Sequence, residues 1–173
     1  MNVLKDKKGF TLVELLAVII VLAVVMAIAV GQLLPAMDGM QESAFDSEVK
    51  IVSDAASQAI SLIMLNDIQG SYSFDKTKYT VTKDDTSVTT AYCFTLQNLI
   101  DEGLINKKYD ANTAGRVVVY KKGNAHYYQV NMHNADYKAI ADTSASNKYT
   151  ISKYEKPASG TSDKSTYDCS SLK

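Results

Sequence analysis

The chain has 173 residues, 46% of them hydrophobic and 21% charged, with a formal net charge of −1. That length holds one globular domain plus an appendage, and the near-neutral balance excludes a general nucleic-acid binder, which needs an excess of Lys and Arg to neutralise phosphates. The extreme hydrophobicity is confined to Phe10–Leu34, whereas the chain beyond Gly70 is rich in Lys, Asp, Ser, Thr, Asn and Tyr, so two solvents are implied, lipid and water.

The chain opens with Lys5, Lys7 and Lys8, offset by Asp6, ahead of the apolar run. As a helix, Phe10–Val30 would be about 31 Å long at 1.5 Å per residue, which matches the hydrocarbon core of a bilayer. The basic flank predicts a cytoplasmic N-terminus and export of the chain beyond residue 35. A cleaved secretory signal is the competing reading, because Ala27-Ile28-Ala29 has the small-x-small form of a cleavage site. That reading leaves Glu14 unexplained, since a carboxylate within an apolar span costs on the order of 2.5–3.5 kcal/mol.

A cut between Gly9 and Phe10 would resolve the anomaly. The new α-amino group would be a cation at the tip of the apolar helix, four residues from Glu14. In a neighbouring copy shifted along the axis, the same amine would meet Glu14 across a low-dielectric interface where neither charge tolerates isolation.

The run Lys-Lys-Gly-Phe-Thr-Leu-Val-Glu-Leu-Leu, followed by an apolar helix, resembles the prepilin signature of type IV pilins and their pseudopilin relatives. The resemblance covers residues 5–35. It implies a leader, residues 1–9, removed by a membrane prepilin peptidase after Gly9, N-methylation of Phe10, and a register role for Glu14 against the adjacent subunit's N-terminus. It also implies an inner-membrane assembly platform, a cytoplasmic assembly ATPase and a helical homo-oligomeric filament on the bacterial surface. Residues 10–34 then form the transmembrane helix and filament core, and residues 35–173 the extracellular head. The expected fold is α+β, the pilin fold: a long N-terminal helix on a small, mainly antiparallel sheet with one short extra helix. The family often has a proline where Gly31 stands here, and Pro35 comes four residues later, so Gly31–Pro35 is expected to kink the helix or to melt on assembly.

Phe45, Val49, Val52, Ala56, Ala59 and Ile63 recur at helical spacing and predict an amphipathic helix over residues 41–65, stopped by Asn66–Gly70. β-type runs come next at Lys78–Lys83, Arg116–Lys121, His126–Met132 and Tyr149–Tyr154, with Lys122-Gly123-Asn124-Ala125 as a hairpin turn. Thr95–Gly103 reads as a short helix with Leu96, Leu99 and Ile100 on one side. The tail, Pro157–Lys173, would fray unless tied down. In an exported domain Cys93 and Cys169 could form one disulfide, and two free thiols are the alternative. Many pilins bracket their C-terminal region with such a bond, although Cys93 lies upstream of its usual place.

No catalytic pattern is present: G-x-S-x-G, the P-loop and H-E-x-x-H are all missing from the sequence. No metal or cofactor site is expected. His126 and His133 have no cysteine near them, and Asp84-Asp85 lacks the ligand spacing of a calcium loop. Basic pairs Lys107-Lys108 and Lys121-Lys122 read as solvated surface. Among the eleven tyrosines, Tyr79, Tyr120, Tyr127 and Tyr128 are expected to cover a thin sheet rather than to bind a ligand. The reading is a structural pilus subunit for adhesion, motility or biofilm formation, not an enzyme. A pseudopilin of a type II secretion or DNA-uptake system is the first alternative, and a membrane-anchored binding domain that never assembles is the second.

Overall fold

A computed structural model describes residues 11–69, 74–82, 85–155 and 164–172. Its first element, helix α1 (Leu12–Gln69), runs over two compact units, residues 1–41 and 42–173. Among the described residues the second unit contains six strands: β1 (Thr80–Val81), β2 (Val88–Thr95), β3 (Ala114–Lys122), β4 (Ala125–His133), β5 (Tyr137–Ala141) and β6 (Tyr149–Lys153). They form one sheet in the order β1-β2-β3-β4-β5-β6, every neighbour antiparallel, so each strand pairs with the next in sequence. The architecture is α+β, a long helix against an antiparallel sheet with a short extra helix, as the sequence implied.

Helix formation in the second unit reflects its stripe. Phe45, Val49, Val52, Ala56, Ala59 and Ile63 are all buried, together with Ala55 and Ile60. They meet the sheet face formed by Phe94, Val117, Val119, Val130, Met132, Tyr137 and Ala139. Ser53, polar within the stripe, donates to Asn147 Oδ1 at 2.9 Å, and Asn147 holds a left-handed backbone, φ 54°, that aims its side chain there. Asp46 accepts from Lys50 and from the Tyr149 hydroxyl, each at 2.6 Å, and these bonds hold its carboxyl below the usual carboxylate range.

The three consecutive valines of β3 reflect burial on both faces. Val117 and Val119 face α1, whereas Val118 and Tyr120 join a second cluster with Val81, Ala91, Cys93 and Cys169. The C-terminal segment lies over that second face. Cys93 and Cys169 are joined by a disulfide across 76 residues of sequence. Arg116 donates to the Asp168 carbonyl at 2.5 Å, Asn131 to the Thr166 carbonyl at 3.3 Å, and the Thr82 N–H to the Leu172 carbonyl at 3.0 Å. Tyr167 meets the His133 ring edge to face, and Tyr154 stacks on the same imidazole.

Helix α2 (Leu96–Asp101) starts at Thr95, whose hydroxyl accepts from the Asn98 N–H while Asn98 Oδ1 accepts from the Thr95 N–H, a reciprocal cap. It ends at Gly103, φ +73°, with Leu96 and Leu99 buried. Lys122 and Ala125 are paired, so Gly123-Asn124 is a two-residue hairpin loop, with Gly123 at φ +61°.

Several expectations need correction. Among the described residues of the Lys78–Lys83 run, only Thr80–Val81 is a strand, and Lys83 lies outside them. Lys76–Lys78 forms a 3-10 turn started by Asp75, whose carboxylate accepts from Thr77 and competes with extension. Tyr79, just after that turn, is buried and donates its hydroxyl to Glu102. The amphipathic helix extends to Gln69, past Asn66, whose side-chain amide donates to the Phe74 carbonyl at 3.3 Å. Strands β2 and β5 had no counterpart in the sequence pattern.

Candidate assembly site

Within residues 12–33 the sequence places apolar side chains on every side of the helix, and none is buried. Fifteen large ones, from Leu12 at 84% exposed to Leu33 at 57%, face outward. At roughly 1.5–3 kcal/mol for each such side chain fully buried, tens of kcal/mol await a dry surrounding. A helix apolar all round is a buried or membrane helix, and this one is long and apolar enough to cross a membrane. A second copy's helix and a bilayer offer the same apolar contact.

Glu14 breaks that surface in its first turn, and its own chain partners it. Thr11, immediately before α1, donates to Glu14 Oε2 from its backbone N–H at 3.2 Å and from its hydroxyl at 3.1 Å. The Glu14 N–H returns a bond to the Thr11 hydroxyl oxygen at 3.3 Å, and the Thr11 carbonyl accepts from the Leu15 N–H at 3.2 Å. This is a capping box, with Thr as the cap and Glu three residues on. The carboxylate also lies at the positive end of the helix dipole. The sequence pointed to the Phe10 amine, of the same chain or of a neighbouring copy, as the partner of Glu14 and not to Thr11, although the spacing Thr-x-x-Glu ahead of an apolar run is a readable helix-start signal.

Gly9 and Phe10 lie outside the described residues. Gly31 and Pro35 are both within α1. Proline has no N–H, so the bond that residue 35 would give to the carbonyl four residues earlier, that of Gly31, cannot form. The two residues thus share one missing helical hydrogen bond. Cys93 and Cys169 sit on the far sheet face, in the second unit.

Other candidate chemistry is dispersed among structural contacts. Asp85 accepts from Ser87 and pairs with Lys122 at 3.6 Å, while Asp84 lies outside the described residues. Lys107 pairs with Glu48. His126 has its pKa lowered, first by burial and then by nearby Lys121. Among the described residues, no three His, Cys, Asp or Glu side chains cluster as metal ligands. Tyr120 is buried and stacks face to face on Tyr127, with centroids 5.3 Å apart.

Comparison with known proteins adds one finding. The family model described as the prokaryotic N-terminal methylation motif matches residues 4–30. A search of curated proteins and a search of solved structures found no match. The matched span includes Gly9, Phe10, Thr11 and Glu14 and most of the outward-facing apolar helix. The chain therefore carries, at its N-terminus, the methylation motif that is the signature of type IV pilins and pseudopilins.

Proposed function

We propose that this protein is the structural subunit of a type IV pilus. It is cut after Gly9 by a prepilin peptidase, methylated on Phe10, stored in the membrane through residues 10–34, and then extracted into a helical filament. The observation that carries this reading is the conjunction of the methylation motif with an apolar helix exposed on every side and one carboxylate in its first turn. In the filament the same apolar surface packs against other copies, so lipid is exchanged for protein at little net cost in hydrophobic burial. Direction and register must then come from the polar end. There Glu14 meets the Phe10 amine of an adjacent subunit, an ion pair whose worth rises in a low-dielectric surround.

The motif points to a structural subunit rather than an enzyme. Assembly then draws its energy from a cytoplasmic ATPase acting through a membrane platform, and the head faces the exterior, where a disulfide persists. A pseudopilin forming a short secretion or DNA-uptake fibre shares the same N-terminus. The large head, with a sheet covered on both faces, favours the surface pilus. Immunogold labelling of intact cells with antibody raised to residues 74–155 tests the choice. Long labelled filaments support the pilus, and label confined to the envelope would replace it with the pseudopilin.

A further inference from the structure

The up-and-down order of the sheet brings three connections to one end: the β1–β2 loop, the Gly123-Asn124 hairpin and the β5–β6 loop. Beside that end, on the face away from α1, lies a cavity of about 750 Å³, a volume typical of small-ligand sites. Strand alternation supplies its floor. Tyr120 and Tyr127 are cross-strand partners whose rings stack 9° from parallel, the first buried and the second half-buried. Gln129, also buried, donates its amide to the Thr143 carbonyl at 3.2 Å and so ties the β5–β6 loop to the sheet. Asp85, from the β1–β2 loop, lines the cavity as well. Tyr79 and Tyr128, the other two tyrosines expected to cover the sheet, pack instead in the core under α1.

The cavity carries one carboxylate and one ammonium, which cancel. Lys122 Nζ stands 3.6 Å from Asp85 Oδ2, with both side chains partly exposed. A tight charge-assisted bond is about 2.7–2.9 Å long, so this pair is loose, and an exposed pair of this kind contributes little by itself. A hydroxyl can stand between the two at small cost, because it donates to the carboxylate and accepts from the ammonium at once. An anion would meet Asp85, a cation would meet Lys122, and a wholly apolar ligand would leave both charges without solvent or partner. Aromatic surface beside a donor and an acceptor of no net charge suits a ring with an apolar C–H face and a rim of hydroxyls. We propose that this cavity binds a neutral saccharide: a pyranose ring lies against Tyr127, which the buried Tyr120 backs, and one sugar hydroxyl bridges Asp85 and Lys122. The site is separate from the apolar helix and independent of the filament reading.

Saturation-transfer NMR on the full-length protein tests this, in an amine-oxide detergent so that no sugar headgroup competes. The probes are the methyl glycosides of glucose, galactose, mannose, N-acetylglucosamine and N-acetylgalactosamine at millimolar concentration, with sialic acid as the charged comparison. Transfer is expected to at least one neutral glycoside, strongest at the C–H protons of one ring face. Asp85→Asn keeps an oxygen to accept from the Ser87 N–H and so preserves the loop turn, but removes the charge. It should weaken binding roughly ten-fold, the size of one lost hydrogen bond to a charged group. Tyr127→Leu keeps an apolar side chain on the sheet and should abolish the transfer. If Tyr127→Leu proves unfolded, Asp85→Asn decides alone, since its side chain lies on a partly exposed loop outside the core. Transfer to none of the neutral glycosides would overturn the proposal, as would a preference for sialic acid or binding that Asp85→Asn leaves unchanged.

Discussion

The disulfide between Cys93 and Cys169 closes a loop spanning 76 residues and ties the C-terminal segment to the far face of the sheet. Replacing both cysteines by alanine in a chain of residues 42–173, which holds the whole described core, isolates its effect. Alanine suits the site because both side chains are buried, at 2% and 9% exposure, where a serine hydroxyl would need a partner. Chain entropy for a loop of this length gives about 4 kcal/mol. The anchors from Arg116, Asn131 and Thr82 survive in the variant's native state and keep the segment in place. The loss therefore acts mainly through the unfolded chain and should fall in the range of about 2–4 kcal/mol. Urea unfolding measures it, and the slope against urea should steepen, because an uncrosslinked unfolded chain exposes more surface. A variant within about 1 kcal/mol of the wild type, with an unchanged slope, would refute the reasoning.

Leu99→Ala, at a side chain 0% exposed on the buried side of α2, should cost about 2–5 kcal/mol in the same urea assay through lost transfer energy and a cavity. Asp46 has a depressed pKa, with Lys50 the first cause and Tyr149 the second. Its contribution to stability is therefore complete above the unfolded value near 3.8 and is lost as pH falls through the lower folded value. Asp46→Asn should flatten the decline in melting temperature below about pH 4 relative to the wild type, and an unchanged acid limb would count against the assignment. Glu14→Ala should leave leader removal intact and lower filament yield, read by mass and by sheared-pilus quantitation, whereas normal piliation would remove the register role.

How much of this was legible in the sequence depends on how strictly each element alternates. The α1 stripe from Phe45 to Ile63 obeys a helical period residue by residue, because one face meets the sheet and the rest meets water. The β3 and β4 runs were visible through their valines and tyrosines, and Gly123-Asn124 marked their turn. Strand β2 was hidden. Its residues Val88-Thr-Thr-Ala-Tyr-Cys-Phe-Thr95 are buried toward its end on both faces, Phe94 under α1 and Cys93 under the tail, so no two-residue alternation survives. Strand β5 is short and carries Ala139 at its most buried point, where a small residue fits close to the helix and gives little hydrophobic signal. At the N-terminus Glu14 was conspicuous because it is costly in an apolar run. Thr11 was inconspicuous because threonine there is cheap, and only the geometry shows that the two act as a unit.

The central claim is that the mature subunit begins at Phe10. Intact, non-reduced mass measurement with N-terminal fragmentation, on protein sheared from the native cell surface, tests it most directly. The expected species is a chain starting at Phe10, heavier by one methyl group on its amine and lighter by the two hydrogens lost in the Cys93–Cys169 bond. A chain starting at Met1, or one cut after Ala29, would contradict it.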